Sequence, residues 1–300
     1  MRVLVHGAGA VGGYFGARLA RGGHDVTLVA RGRNLAVLQR DGLTVHLPDE
    51  TWTLPLRAVG TPAEAPPADL VLLCVKSHDT RAAADALRPV VAPDTVILSL
   101  QNGIENETIL AEALGLPPLL VGLTRIGVEL TGPGVVQYTG RGEIVFGEPD
   151  GSDSPRATRL ADAFRAAGLD HKLHHAILVA AWEKLAWNAA FNAVTTLADV
   201  PCGPALAQPA SRRLIEDTMR ETDAVATARG VPVRRARIPA VIAESATEMP
   251  DFPTSMLQDR RRGARLEHDA INGAVVRAAD RLGVPVPLNR ALLALLARLD

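Results

Sequence analysis

The sequence predicts an α/β fold class: an N-terminal Rossmann-type doubly wound sheet with antiparallel extensions, followed by an all-α C-terminal domain. Three observations predict it. Near the N-terminus, GAGAVG separates a β-branched run from a helical pattern. Short apolar runs then alternate with helical spacing through the first third, as a parallel sheet requires. From about residue 175 strand patterns stop and helical periodicity carries the rest. The expected domains are 1–172 and 173–300, in keeping with roughly 150 residues per domain.

Taken in order, RVLVHG is a first strand, VGGYFGARLARGG a helix ending in glycines, and DVTLVA a second strand. GLTVHL and TLPLRAVG alternate around PDE, as the arms of a hairpin would. ADLVLLCVK and TVILSLQNG are continuous apolar runs, the pattern of strands buried on both faces, with HDTRAAADALRPVV as the crossover helix. LLVGLTRIGVEL, GVVQYTG and EIVFGEPD follow without helices between them and supply the antiparallel extensions. SPRATRLADAFRAAG is again a helix.

Bulk properties narrow the function. A chain of 300 residues, 47% hydrophobic and 22% charged, is an ordinary globular protein. A net charge of −1 argues against a dedicated nucleic-acid surface. The basic runs VRRARIP and DRRRGARLE read as solvated helix faces, with a minority of their arginines near an anionic ligand. The two cysteines, Cys74 in an apolar run and Cys202 after a proline, form no disulfide framework. No stretch reaches the ~20 apolar residues of a membrane helix, and MRVLVHGAGAVGG breaks into glycines too early for a signal peptide. A soluble, cytoplasmic protein without membrane or nucleic-acid partners is expected.

The glycine motif in its strand–turn–helix setting points to a dinucleotide. Gly7 would make the tight turn, Gly9 would admit the pyrophosphate, and Gly12 would let helix and strand approach closely. Ala8, Ala10 and Val11 complete the loop, whose helix N-terminus favours an anion. NAD-binding sites place an acidic residue after the second strand, but this chain has Ala30, Arg31 and Arg33 there. A guanidinium suits a 2′-phosphate, so NADP(H) is the expected cofactor. Lys76 and Asn102 follow two further strands, where doubly wound folds bind ligands.

WEKLAWNAAFNAVTTL poses the chemical question. Lys184, Asn188 and Asn192 lie i, i+4, i+8 on one helix face while their neighbours are apolar. Burying one ammonium and two amides makes sense facing a cleft between the domains, where substrate oxygens satisfy them. Reduction of a ketone by hydride leaves negative charge on oxygen, which Lys184 would protonate as Asn188 and Asn192 orient oxygens. The bland alternative is a snorkelling lysine with asparagines bonded to backbone. Ser255 and Glu267 share a face only if one helix runs through Gly263; Asp259 reads as a first-turn or salt-bridge residue. His171, His174 and His175 have some metal-ligand spacing but no carboxylate or thiol cluster beside them, so no metal site is expected.

The set GAGAVGGYFGARLA, ARG, CVKSHDT, LQNGIEN, WEKLAWNAAFNAVTTL and PTSMLQDRRRGARLEHDAINGAVV closely resembles the ketopantoate reductase family, in order and across nearly the whole chain. The family uses NADPH to reduce 2-dehydropantoate (ketopantoate) to pantoate in pantothenate synthesis. The resemblance implies Lys184 as general acid and Glu267 as a carboxylate essential for binding and catalysis. It implies Asn102, Asn188, Asn192 and Ser255 as substrate contacts, with Arg31 and Lys76 on the 2′-phosphate. Ala193 and Val194 follow Asn192 where a more typical member places a proline. Another branched 2-oxo acid, a related hydroxyacid or polyol-phosphate dehydrogenase activity, and a non-catalytic NADP(H) sensor remain as alternatives. The sequence is silent on assembly, a homodimer being the partner left open.

Overall fold

The computed structural model describes residues 1–116 and 119–300, the Arg141 side chain excepted. The chain folds as two compact units: Met1–Gln101 with Asn106–Ile177, and Asn102–Glu105 with Leu178–Asp300.

The first unit runs β1 (Arg2–His6), α1 (Ala10–Arg21), β2 (Asp25–Val29), α2 (Gly32–Asp41), β3 (Leu43–His46), β4 (Thr51–Leu54) and β5 (Arg57–Val59). It continues with β6 (Leu70–Leu73), α3 (Thr80–Leu87), β7 (Val96–Ser99), α4 (Asn106–Leu114), β8 (Val121–Gly132), β9 (Val135–Gly147), α5 (Pro155–Ala166) and β10 (His171–Leu173). One sheet has the order β5-β2-β1-β6-β7, with every pairing parallel. Its strands are buried on both faces, and period-2 alternation sorts their residues. Val3 and Val5 join the cluster holding Phe15 of α1 and Phe164 of α5, while Leu4 joins that of Leu87 in α3 and Leu110 in α4.

The second sheet contains β4, β3, β9, β10 and β8 and is mixed. The β8–β9 and β3–β4 pairs are antiparallel, but β9 takes both β3 and β10 in parallel. GVVQYTG and EIVFGEPD, which read as separate runs, make the single strand β9; it passes through Gly140 at φ +140°, beside a register shift against β8. The expected hairpin arm TLPLRAVG also divides. Pro55 has no N–H to donate, and the Leu56 N–H turns back to the Leu54 carbonyl at 2.9 Å. Thr53 and Leu54 therefore close the hairpin with β3, while Arg57–Val59 crosses to the parallel sheet beside β2.

α1 serves both sheets, and its glycines set the approach. A Cβ at Gly16 would stand 3.1 Å from a Leu28 methyl of the parallel sheet, and one at Gly13 would stand 2.9 Å from a Val136 methyl of the mixed sheet.

The second unit is helical: α6 (Ile177–Ala198), α7 (Cys202–Ala207), α8 (Pro209–Ala228), α9 (Ile238–Glu248), α10 (Ser255–Arg261), a π-turn at Asp269–Gly273, α11 (Ala274–Leu282) and α12 (Pro287–Leu296). α6 is its axis. Trp182, Leu185, Ala189 and Ala193 pack with residues of α8, α11 and α12. Ala186, Ala190, Phe191 and Val194 pack with residues of α7, α8 and α9. Such double coverage explains why α6 is apolar nearly all round. Among the described residues, no helix is long and apolar enough to cross a membrane.

Candidate active site and dinucleotide loop

α6 presents its polar stripe as the spacing predicts, and an asparagine from far away in sequence meets it. Lys184 Nζ donates to Asn102 Oδ1 at 3.2 Å, and Asn188 Nδ2 donates to the same oxygen at 3.4 Å. Asn102 Nδ2 in turn donates to Glu267 Oε2 at 3.4 Å. Two donors on its oxygen and a carboxylate on its nitrogen fix the orientation of this carboxamide. Asn102 thus bridges the ammonium and Glu267, which is itself 6% exposed. Four residues scattered over Asn102 to Glu267 form one polar cluster, all within the helical unit because Asn102–Glu105 packs there.

Asn192, one turn beyond Asn188, is 1% exposed, and among the described residues neither of its amide atoms has a hydrogen-bond partner. A buried amide left bare costs a few kcal/mol, so a polar guest is the natural complement. Ser255 makes no hydrogen bond to the cluster among the described residues. It opens α10, its hydroxyl exposed and without a hydrogen bond among the described residues. The helix is tied to α6 by its N-cap, Thr254, whose hydroxyl lies 2.8 Å from that of Thr195. α10 stops at Arg261, with Gly263 at φ +64° beyond it, so no single helix carries Ser255 and Glu267. Asp259 forms a salt bridge with Arg262 at 2.6 Å.

The glycine loop also has the expected geometry. Gly7 sits at φ +106°, and a Cβ there would come within 2.6 Å of the Val75 nitrogen. A Cβ at Gly12 would strike the Gly7 carbonyl, whereas one at Gly9 would meet nothing within 4 Å. The turn is therefore closed behind and open in front, at the N-terminus of α1, where the first-turn N–H groups lack helical acceptors. These features fit a pyrophosphate. Asn34 supports the loop unannounced by any motif: its Nδ2 donates to the Ala8 carbonyl at 2.7 Å, and its Oδ1 accepts from the Gly134 N–H at 2.7 Å.

At the end of β2, Arg31 is well exposed and donates to Asp79 Oδ2 at 2.9 Å. β2 itself ends without a carboxylate, but Asp79, three residues after Lys76, supplies one from another loop. His6, the last residue of β1, is buried; burial chiefly, then the Arg31 charge, push it down to about 4, with Asp79 opposing.

The remaining predicted residues lie elsewhere. His171 belongs to β10, and among the described residues no group of three or more His, Cys, Asp or Glu could hold a metal ion. Both cysteines are free. The basic runs are largely engaged in ion pairs, Arg234 with Glu183, Arg237 with Glu244 and Arg261 with Asp199.

Comparison with known proteins fits this geometry. The profile described as "Ketopantoate reductase PanE/ApbA" matches residues 3–151, and "Ketopantoate reductase PanE/ApbA C terminal" matches residues 176–300. The chain belongs to the ketopantoate reductase family. It is 38% identical to the 2-dehydropantoate 2-reductase of Halobacterium salinarum, over 97% of this chain and 96% of that one. The Archaeoglobus fulgidus 2-dehydropantoate 2-reductase is 35% identical over 97% and 95%. A crystal structure of a PanE/ApbA family ketopantoate reductase from Ralstonia eutropha superposes with TM-score 0.92 at 37% identity, covering 100% of this chain and 98% of that one. As a ketopantoate reductase family member the protein is a dinucleotide-binding oxidoreductase, with the Rossmann-like unit and the helical unit the sequence predicts.

Proposed function

We propose that the protein reduces 2-dehydropantoate to pantoate with NADPH, Lys184 acting as general acid. The observation that carries this reading is the buried polar stripe of α6: an ammonium held by Asn102 beside Glu267, with a bare Asn192 amide one turn further along. A packing lysine needs no such company.

The glycine loop and α1 would hold the pyrophosphate, and Arg31 and Lys76 the 2′-phosphate. Bound NADPH would supply a hydride to the ketone carbon. As that C–H bond forms, the carbonyl electron pair moves onto oxygen and takes a proton from Lys184 Nζ. Asn102, itself held by Glu267, would keep Lys184 Nζ aimed until then; the lysine regains its proton from water. Asn188, Asn192 and Ser255 would bind substrate oxygens. Arg31 bonds Asp79 through one nitrogen, leaving donors for a phosphate dianion, which is the stronger partner.

The test is NADPH oxidation with ketopantoate set against other branched 2-oxo acids. The highest kcat/KM is expected for ketopantoate. A clear preference for a different oxo acid would replace the substrate but keep the chemistry, and turnover of none would leave a dinucleotide sensor.

A further inference from the structure

The Asn102 bridge has a fastening that reaches from its own loop to α11. Glu105 follows Asn102 by three residues, and its Oε2 accepts from Arg277 of α11, from Nε at 3.1 Å and Nη2 at 2.7 Å. Its other oxygen lies 3.6 Å from Arg281 Nη2. The same guanidinium reaches the opposite way. Arg277 Nη1 donates to Asp269 Oδ1 at 2.8 Å, and Nη2 donates to the Asp269 carbonyl at 3.0 Å.

Asp269 opens the π-turn two residues after Glu267. One side chain therefore ties down two chain segments, one carrying Asn102, the acceptor of Lys184, and the other Glu267, the acceptor of Asn102. The clamp is closely built. A Cβ at Gly273 would come within 2.7 Å of Asp269 Oδ1 and 3.1 Å of Arg277 Nη1, so a larger residue there would push the two side-chain ends aside.

We propose that Arg277 and Glu105 are positioning residues for the reductase reaction, holding Asn102 and Glu267 in register with Lys184. The inference rests on the reading of Lys184 as the acid. Its force comes from distances: the bonds from Asn102 to Glu267 and from Asn188 to Asn102 are each 3.4 Å, at the long end of the hydrogen-bond range. A shift of a few tenths of an ångström at Glu105 would break them. Arg277 and Glu105 are only partly exposed, unlike the Arg290–Asp280 pair, where both side chains are more than half exposed. That pair supplies a control.

Arg277→Ala is expected to lower kcat for oxo-acid reduction about 10- to 100-fold, the cost of misplacing a catalytic group by up to an ångström. NADPH affinity by fluorescence titration and Tm should stay near those of Arg290→Ala. Glu105→Gln should act in the same direction, more weakly, and the double variant should be no worse than Arg277→Ala alone. The alkaline limb of the kcat–pH profile should move to lower pH, because an acceptor drawn away from Lys184 Nζ no longer favours its charged form. A merely structural residue would leave that limb in place.

A folded Arg277→Ala with wild-type kcat and pH profile overturns the proposal. Should that variant not fold, Glu105→Gln decides on the same readings. The parallel control is Lys184→Ala: its inactivity beside a normal Arg277→Ala sinks the clamp alone, whereas its full activity sinks the acid assignment and the clamp with it.

Discussion

The two units build their sites from different material. The Rossmann unit offers mostly backbone: a turn that tolerates only glycine at Gly7 and Gly12, open space at Gly9, and a helix N-terminus. The helical unit offers side chains, gathered from Asn102, α6 and the segment before the π-turn. A backbone site is local, so a handful of consecutive residues specify it. A side-chain site depends on how distant segments pack, and on the proposed reading a single atom, Lys184 Nζ, does its chemistry. The difference has consequences for mutation: truncating one side chain should silence the helical site, but only tune the dinucleotide site.

Lys184→Ala tests the first half with the largest effect. Removing a general acid should cut kcat by about 10²–10⁴. The helix should survive, since alanine has the higher propensity and a partly buried charge is lost. Asn102 loses a donor, so some fall in Tm is tolerable. NADPH affinity should hardly move. A folded variant with near-normal kcat would make the stripe structural and erase the contrast between the units.

Arg31→Ala tests the second half. Losing a guanidinium–phosphate contact costs about 1.5–3 kcal/mol, roughly 10- to 100-fold in kcat/KM for NADPH, with NADH little changed. Asp79 sharpens the number. Since Arg31 already holds a carboxylate in the free protein, the lower end of that range is expected. Equal use of NADPH and NADH by the wild type would remove the 2′-phosphate assignment, with Asp79 beside the ribose site as the physical reason.

How much of this was legible in the chain follows the same division. The parallel sheet, the glycine turn and the spacing of Lys184, Asn188 and Asn192 are period and motif, and the structure has them all. The fate of TLPLRAVG was hidden because Pro55 divides an apparently continuous alternation between two sheets. Glu267 could be placed on a face only by assuming one helix from Ser255, and Gly263 prevents that helix. Asn34 and Arg277 carried no signal, and Asp79 and Glu105, though inside CVKSHDT and LQNGIEN, were marked by no pattern of their own. Each is an ordinary polar residue whose role depends on a partner far off, Gly134 for Asn34 and Arg277, 172 positions on, for Glu105. Local patterns cannot report such pairings.

The smallest effect separates the units by pH. His6 is held near pH 4 by burial, against about 6.5 when unfolded, so the unfolded chain binds the extra proton between those values. Its contribution is complete above 6.5 and is lost as the pH falls towards 4. At pH 5 the loss is about 2 kcal/mol. Asp223 of the helical unit, 4% exposed, runs the other way. Burial raises it to about 6, with Arg235 opposing and Glu183 adding, so the folded state binds the proton and stability rises as the pH falls through 6. The gain at pH 5 is about 1 kcal/mol. Melting at pH 7.5 and 5.0 should therefore show His6→Leu losing several degrees less than wild type on acidification, and Asp223→Asn losing more, at roughly 2–4 °C per kcal/mol. Parallel losses in wild type and His6→Leu would mean that His6 is hydrated and titrates normally. Its burial would then contribute nothing to the acid sensitivity of the Rossmann unit.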